Sequence, residues 1–342
     1  MAKSKIILAG FWAHSHCEES FSRQVIDNGL EVIPFKISKY FEGKWSKYLN
    51  ALPLPVGPML KLNKDLLEII QKNEVDFIFF WNCNHILPST LRKIKESDTR
   101  IIVYNNDDPY GSVVKNKKPW LHFFQFFWFL RNLRYSDIIF VYRPINIKEA
   151  SKFSNPSAKI KLFRPYFIPA LQDSTLLTVD YEQEVVFIGH YEADNRLQDL
   201  EYLFKNDIDL KIYGTGWENS FLKYQDYIYP VYGADYISAL RSSKICLCFL
   251  SKMNRDVYTR RCFEIPGLKR LLLCERTPEM LSLLEEDVEA VYFSDKYELL
   301  EKIEWLLANP SKIEEIAEAG YKRLIDDGHD IRSRSIEILK HL

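Results

Sequence analysis

The stretch YTRRCFEIPG, residues 258–267, places two arginines and a glutamate beside an apolar run. If a helix begins at Thr259, then Arg260 and Arg261 lie in its first turn, where positive charge opposes the helix dipole unless an anion is bound. Glu264 follows Arg261 by three residues, so one helix end could offer a guanidinium to a diphosphate and a carboxylate to ribose hydroxyls. The same spacing fits an ion pair on a helix surface equally well.

A glycine turn follows the apolar run VVFI in the sequence VVFIGHYEADNR. Gly189 lets a ligand approach the backbone, and the predicted helix after it offers free N–H groups to an anion, with His190 and Arg196 nearby. A tight turn with a surface arginine is the alternative. The single glycine does not match the dinucleotide pattern G-x-G-x-x-G, so a nicotinamide dehydrogenase loses its main support.

A second glycine pair ends the run LKIYGTGW. Gly214 and Gly216 permit close backbone approach to a flat ligand. Trp217 either stacks on a base or closes the local core, and the core interpretation is favoured.

Two adjacent acids and two histidines follow strands predicted in the first half of the chain. Asp107 and Asp108 end RIIVYNNDD, and in a cleft one of two adjacent carboxylates can have a raised pKa that suits a general base. An Asx-type turn with solvated acids is the favoured alternative. His14 and His16 in GFWAHSH are candidates to contact an acceptor or a phosphate, although ordinary loop histidines show the same pattern.

The six cysteines include no C-x-x-C pair and no histidine at metal-ligand spacing. Cys246 and Cys248 share one face of a predicted strand, which could form a soft-metal pair, but two buried core thiols are the favoured interpretation. This usage fits a reduced cytoplasmic compartment, and we expect no bound metal.

The chain has 342 residues, with 46 lysines and arginines against 47 acids. It therefore lacks the basic excess of a nucleic-acid-binding protein, and its length favours two domains. No run reaches the roughly 18 apolar residues of a membrane-spanning helix, so we expect a soluble protein. The segment HFFQFFWFLRNLR, residues 122–134, predicts a buried helix; the alternative is an interfacial helix in peripheral contact with the inner face of a membrane.

Short apolar runs alternate with helical periodicity along most of the chain, which predicts parallel sheets covered by helices on both faces. Residues 159–184 interrupt this alternation with two prolines and a polar tail, so we place the domain boundary there. The predicted domains are residues 1–165 and 166–328, with a last helix at 329–342 that packs back towards the first. In such sheets, ligands bind beyond the carboxyl ends of the strands.

The segments TRRCFEIPGLKRLLLCERTPEM and FIGHYEADNR resemble the C-terminal half of CgeB-like glycosyltransferases of the spore maturation protein type. In the first half of the chain, NNDDPYG resembles the D-D-P segment that follows a strand in the same family. Arg261 and Glu264 match the family's R-x-F-E-I-P motif, and CERTPEM matches its E-R-T run. The sequence departs from the family at GLKR, residues 267–270, where Ala-x-Gly-Gly is usual. Asp256, eight residues before Glu264, matches the position of a second acid in related nucleotide-sugar transferases.

The resemblance implies a GT-B type fold, in which two Rossmann-like doubly wound domains face each other across a cleft. It implies transfer of a sugar from a nucleotide-diphosphate sugar to a glycan, lipid-linked or protein acceptor, with no metal and no cofactor besides this co-substrate. Glu264 would hold the ribose, and Arg261 would stabilise the leaving diphosphate. Asp107 or Asp108 would act on the acceptor if the reaction inverts the anomeric centre. The expected donor contacts are Gly189, His190, Arg196, Gly214, Gly216, Trp217, Tyr258, Thr259, Arg260 and Glu264.

Two other functions remain open from the sequence. A nucleotide-sugar epimerase has the same architecture and needs no acceptor. A non-catalytic protein that binds glycans or nucleotides would hold the ligand without turning it over.

Overall fold

The computed structural model describes residues 3–12, 15–42, 54–112, 120–169, 182–218 and 228–342. The chain divides into two compact units, one formed by Met1–Arg164 with Ile331–Leu342 and the other by Pro165–Asp330. Each unit is built around its own parallel β-sheet. This confirms the predicted α/β class with two Rossmann-like domains.

The sheet of the first unit contains six described strands in the order β2-β1-β3-β4-β5-β6. The residues of β1, β3, β4 and β5 are mostly buried because helices cover both faces, which explains why these strands appear in the sequence as continuous apolar runs. The strands are β1 (Lys5–Gly10), β2 (Glu31–Lys36), β3 (Phe77–Trp81), β4 (Arg100–Asn105), β5 (Ile138–Val141) and β6 (Lys159–Leu162). β6 lies in the segment predicted as an interdomain boundary. Its alternation of exposed lysines and half-buried apolar residues is typical of an edge strand and hid it in the sequence.

The helices of the first unit that precede the sheet's last strand are α1 (Ser20–Asp27), α2 (Gly57–Asn73), α3 (Pro88–Ile94), α4 (Trp120–Gln125), α5 (Phe127–Asn132) and α6 (Pro144–Ala150). A π-helix covers Ser15–Glu19, and short 3-10 helices cover Ser38–Tyr40 and Leu133–Tyr135. The aromatic segment at 122–134 is two short helices. Phe126 and Phe129 are buried in the core, and Phe124 is 40% exposed.

The sheet of the second unit has the order β11-β10-β9-β7-β8 among the described strands. They are β7 (Gln183–Ile188), β8 (Leu210–Tyr213), β9 (Ser243–Cys248), β10 (Leu271–Glu275) and β11 (Val291–Phe293). The chain leaves the middle strand β7 towards β8 on one side and then crosses back to β9 on the other. This reversal between β7 and β9 is the topological switch point at which doubly wound sheets bind ligands.

The described helices of the second unit are α7 (Arg196–Lys205), α8 (Gly233–Arg241), α9 (Arg261–Gly267), α10 (Pro278–Leu283), α11 (Lys296–Ala308) and α12 (Pro310–Asp326). They follow the strands in the alternation that the sequence predicted. The last helix, α13 (Ile331–Leu339), belongs to the first unit and packs against α1. Backbone carbonyls of His341 and Leu342 accept hydrogen bonds from Arg100, which fastens the end of the chain to β4.

Candidate functional site

Three segments leave the carboxyl edge of the second sheet around its switch point. They are the Gly189 turn after β7, the YGTGW turn after β8, and the loop from Phe249 to Arg260 that leads from β9 into α9. Because β8, β7 and β9 are neighbours in the sheet, these segments emerge side by side. They carry most of the residues that the sequence singled out for donor binding.

Gly214 must be glycine because its backbone lies against the backbone of Gly189, and a Cβ atom on Gly189 itself would lie 2.6 Å from the ring of Phe187. A Cβ atom on Gly214 would lie 1.9 Å from the carbonyl oxygen of Gly189. The indole Nε1 of Trp217 donates a hydrogen bond of 3.0 Å to that same oxygen, and Gly216 adopts a positive φ of 81° to turn the chain towards it. The two turns therefore form one rigid unit.

The structure contradicts a base-stacking role for Trp217. The side chain is 1% exposed and packs edge-on against Phe187 and Tyr191. The core interpretation of this tryptophan is the correct one, because its ring is covered by its own domain.

Arg196 is also an internal residue rather than a phosphate ligand. It is 4% exposed, and its guanidinium donates to both carboxylate oxygens of Asp194 at 2.9 Å. It donates further to the carbonyl oxygens of His190 at 2.8 Å and Leu250 at 3.5 Å, which ties the β7 turn to the exit of β9. The Asp194 carboxylate also accepts from the backbone N–H of Arg196 at the start of α7, so a protein carboxylate occupies the place expected for an anion.

His190 remains at the surface of the switch point. Its Nδ1 forms a 2.6 Å hydrogen bond with the hydroxyl of Thr215, which orients the ring. Partial desolvation of the ring and the positive charge of Arg261 lower the pKa of His190 below its ordinary value of 6.5. The charge of Arg261 therefore acts on the ring of His190, which places the β7 turn and the start of α9 next to each other.

Glu264 is held in a defined orientation on α9. Its Oε2 accepts a 2.7 Å hydrogen bond from the hydroxyl of Tyr236, and its Oε1 lies 3.3 Å from Nε of Arg260. The guanidinium of Arg260 also lies over the ring of Tyr166, 5.3 Å from its centroid. Arg260 therefore offsets the charge of Glu264 and restricts its orientation, while about a fifth of the Glu264 side chain stays exposed.

Arg261 begins α9 and is half-buried beside Glu264, Tyr236 and Cys248, all of which interact with its charge. Its Nε is buried and has no hydrogen-bond partner among the described residues. A buried guanidinium N–H without a partner is costly, so a group that accepts from it would be bound favourably. Arg261 and Glu264 are the pair that the sequence predicted, although α9 starts at Arg261 and not at Thr259.

The residues just before this pair point inward. Tyr258 is fully buried and packs edge-on against Phe263, and Thr259 is 8% exposed with its hydroxyl 3.6 Å from the sulfur of Cys248. Neither side chain reaches a ligand at the surface of this unit, which contradicts the expected donor contacts at these two positions.

The CERTPEM segment fixes the loop that precedes Arg261. The carboxylate of Glu275 accepts from the backbone N–H of Leu250 at 2.5 Å and from Nζ of Lys252 at 2.7 Å. The hydroxyl of Thr277 donates to the carbonyl of Val257 at 2.8 Å and accepts from the N–H of Met280 as the cap of α10. The CERTPEM segment therefore holds the loop from Phe249 to Arg260 in position.

Asp256 lies in the middle of the same loop. Its backbone N–H donates to the carbonyl of Ser251 at 2.9 Å, and its side chain is half-buried. Together with the Glu275 and Thr277 contacts, this bond makes the loop a compact turn.

The GLKR departure from the family pattern has a packing explanation. A Cβ atom on Gly267 would lie 2.6 Å from the ring of Phe167, so glycine is required for this ring to pack against α9. Lys269 then adopts a left-handed φ of 54° and pairs with Glu318 on α12 at 2.8 Å. Gly267 is therefore explained by packing inside the unit, while the Lys269–Glu318 pair lies at its surface.

Three thiols that the sequence did not group together meet beneath α9. The sulfur of Cys262 lies 3.8 Å from that of Cys248 and 3.7 Å from that of Cys274, and all three residues are buried. Hydrogen bonds from Cys262 and Cys274 hold the pKa of the Cys248 thiol well below its usual range, while burial raises the pKa of Cys262 and of Cys274. The pairing of Cys274 with Cys248 in the β9–β10 register is the signal that could have revealed the cluster.

Sequence reasoning also missed two residues that orient the site, Tyr236 and Thr215. Tyr236 approaches Glu264 from α8, 28 positions away in the chain, and Thr215 approaches His190 from the YGTGW turn. Such contacts depend on tertiary packing, and no local pattern marks them.

The candidate acids of the first unit have different environments. Asp108 is fully buried, and its Oδ1 accepts a 3.1 Å hydrogen bond from Asn146, which contradicts a role as a general base. Asp107 is half-buried, and its backbone N–H donates to Oδ1 of Asn105 at 2.9 Å in an Asx turn. His14 lies outside the described residues, as does the side chain of His16. Within the described part of the chain, no helix is both long and apolar enough to span a bilayer.

Comparison with known proteins identifies the fold. Residues 195–340 match a family model described as glycosyl transferase-like. No curated protein matches the sequence. Among solved structures, sucrose-phosphate synthase from Thermosynechococcus elongatus is similar with a TM-score of 0.72 and 9% identity, and the match covers 99% of this chain and 98% of that one.

Two further solved structures have the same architecture. Alr3699/HepE from Anabaena, in complex with UDP-glucose, has a TM-score of 0.63 at 11% identity, with 99% of this chain and all of that chain covered. A UDP-forming trehalose-phosphate synthase from Burkholderia xenovorans has a TM-score of 0.64 at 10% identity, with 99% and 98% covered. The chain thus has the GT-B type fold of these structures.

Proposed function

We propose that this protein is a glycosyltransferase that moves a sugar from a nucleotide-diphosphate sugar to a glycan, lipid-linked or protein acceptor. The observation that carries the proposal is the pair of Arg261 and Glu264 at the switch point of the second sheet. One residue offers a buried guanidinium N–H without a partner, and the other offers an oriented carboxylate. Within this class, the R-x-F-E-I-P and E-R-T motifs favour the CgeB-like type.

Glu264 would bind the donor ribose. A carboxylate whose Oε2 already accepts from Tyr236 and whose Oε1 faces Arg260 has lone pairs left for two neighbouring hydroxyls. Its orientation is set before the ligand arrives, so little side-chain entropy is lost on binding.

Arg261 would stabilise the charge that grows on the leaving diphosphate. A guanidinium fixed in a partly desolvated place interacts more strongly with developing charge than one in water, and it needs no reorganisation during the reaction. His190 lies close enough to respond to the same charge. These groups support a mechanism that does not require a metal, with the nucleotide sugar as co-substrate and no other cofactor.

Two of the solved structures with the same fold support a uridine nucleotide as the donor. HepE was solved with UDP-glucose, and the Burkholderia enzyme is UDP-forming. We therefore propose a UDP-sugar as the first donor to test.

On the acceptor side, Asp107 is the remaining candidate to orient or deprotonate a hydroxyl in an inverting reaction, because Asp108 is buried. A retaining reaction requires no base. Peripheral contact with the cytoplasmic face of a membrane stays part of this proposal, because Phe124 on α4 is 40% exposed.

The proposal is tested by thermal-shift measurements with UDP, GDP, TDP, ADP and CMP, followed by donor hydrolysis and transfer assays with the nucleotide that binds. We expect one nucleoside diphosphate to raise the melting temperature and its sugar conjugate to be turned over. Sugar interconversion without transfer would identify an epimerase, and binding without turnover would identify a non-catalytic protein. Absence of any nucleotide-induced shift would contradict the donor site itself.

A further inference from the structure

Three structural elements bring one cysteine each to a single point in the second unit. Cys248 ends β9, and Cys274 lies opposite it in the parallel register of β10. Cys262 is the second residue of α9 and lies over this edge of the sheet. The three ligand atoms all lie within 4.8 Å of one another, and the three side chains are at most 1% exposed. Loop conformation does not determine this convergence, because two of the three residues belong to paired strands.

The distances between the sulfurs match a metal-thiolate site. For a tetrahedral ion bound to sulfur at about 2.3 Å, neighbouring sulfurs are separated by about 3.8 Å. The measured separations are 3.8 Å for Cys248 to Cys262 and 3.7 Å for Cys262 to Cys274. The three sulfurs would therefore need to move little to bind the ion.

The charge balance of such a site is provided by Arg261. A divalent ion with three thiolates carries a net charge of −1, and burying that charge without a partner would be costly. The guanidinium of Arg261 interacts electrostatically with Cys248 and supplies one positive charge.

We propose that Cys248, Cys262 and Cys274 bind one thiophilic divalent cation of the Zn²⁺ type. On binding, three S–H bonds are lost, three metal–sulfur bonds form, and three protons pass to the solvent. The oxidation state of the metal does not change. The hydroxyl of Thr259 lies 3.6 Å from the sulfur of Cys248, at the border of the site. This site departs from the metal-free protein expected from the sequence.

The metal would act on structure and not on the sugar chemistry. It would join the ends of β9 and β10 to the first turn of α9, the helix that presents Arg261 and Glu264. Binding energy at a structural site of this kind contributes directly to folding stability. The inference concerns the interior of the unit and does not depend on the proposed donor chemistry.

The experiment uses Co²⁺ as a probe of the full-length protein, purified with a chelator and under reducing conditions. We expect one equivalent of Co²⁺ to bind with a thiolate-to-cobalt charge-transfer band and the intense d–d bands of tetrahedral cobalt, and Zn²⁺ to displace it. Cys262→Ser should weaken binding by at least about 100-fold, because loss of second-shell groups alone costs 10–100-fold. Cys246→Ser is the matched control, because Cys246 is a buried thiol on β9, the strand that also carries Cys248, and lies outside the cluster. This variant should bind Co²⁺ like the wild type.

Absence of the charge-transfer band in the reduced wild-type protein would overturn the proposal. So would an unchanged band in Cys262→Ser, or a disulfide between Cys248 and Cys262 in the protein isolated without reductant. If Cys262→Ser does not fold, the ¹¹³Cd NMR shift of the cadmium-loaded wild type decides the matter. A shift typical of three sulfur ligands supports the site, and a shift typical of oxygen or nitrogen ligands contradicts it.

Discussion

Glu264 and Arg261 differ from the other polar residues near the switch point because their binding capacity is not exhausted by their own domain. Arg196 is as cationic as Arg261, but its guanidinium is fully engaged by Asp194 and by two backbone carbonyls. The structure thus distinguishes Arg196, which is engaged within its own domain, from Arg261, for which we propose a ligand. Composition and spacing could not make this distinction, because both residues lie near the start of a helix after a strand.

His190 provides a test at the scale of one residue. Its pKa is lowered by partial desolvation and by Arg261, so the ring is mostly neutral at neutral pH. A bound diphosphate would offset the charge of Arg261 and raise the pKa of His190. NMR titration should find a pKa below 6.5 in the free protein and an increase when the nucleotide is added. A pKa of 6.5 or above in the free protein would contradict the effect of Arg261 on His190. A pKa that does not change when the nucleotide is added would indicate that the diphosphate does not bind at Arg261.

At the scale of elements, α7 contains an unfavourably placed carboxylate. Burial and the charge of Glu275 raise the pKa of Asp199 to about 6, from an ordinary value of 3.8. The folded state therefore binds a proton more tightly than the unfolded state. The resulting stabilisation is present below pH 3.8 and is lost as the pH rises through about 6.

We expect Asp199→Asn to stabilise the protein at pH 8 by roughly 1–2 kcal/mol, a value discounted for the partial exposure of the side chain. Near pH 4 the variant and the wild type should be nearly equal. Urea unfolding at the two pH values measures this, with Asp235→Asn at an exposed position on α8 as the control. A loss of stability at pH 8 would show that the negative charge of Asp199 is needed where it lies.

The elements themselves were largely predictable from the sequence, since buried parallel strands must be continuous apolar runs. The edge strand β6 was not predictable in this way. Its lysines alternate with apolar residues, so it lacks the continuous apolar run that marks the buried strands. The Arg261 and Glu264 pair was predictable because its members lie one helical turn apart. The burial of Trp217, Tyr258 and Asp108 was not, because it depends on side chains distant in sequence.

At the scale of the whole molecule, the chain returns to its first unit through α13. Ile338 on this helix is 1% exposed, and the helix packs against α1. Ile338→Ala should therefore destabilise the first unit by about 2–5 kcal/mol through lost burial and the cavity that remains. Ile325→Ala on α12, where the side chain is 41% exposed, is the control and should change stability by less than about 0.5 kcal/mol.

Hydrogen exchange of α1 and β4 amides distinguishes the effect of Ile338→Ala from general destabilisation. Faster exchange confined to the first unit is expected. Equal effects of the Ile338 and Ile325 variants would contradict the assignment of α13 to this unit.

Calorimetric titration measures whether the second unit binds a nucleotide donor through Glu264, as we propose. The ligand is the nucleotide with the largest thermal shift, and the proteins are the wild type, Glu264→Ala and the exposed control Glu314→Ala. Since a hydrogen bond to a charged group is worth about 1.5–3 kcal/mol, Glu264→Ala should bind roughly 10–100-fold more weakly while it keeps a cooperative unfolding transition. Wild-type affinity in a folded Glu264→Ala protein would show that Glu264 does not bind the ribose.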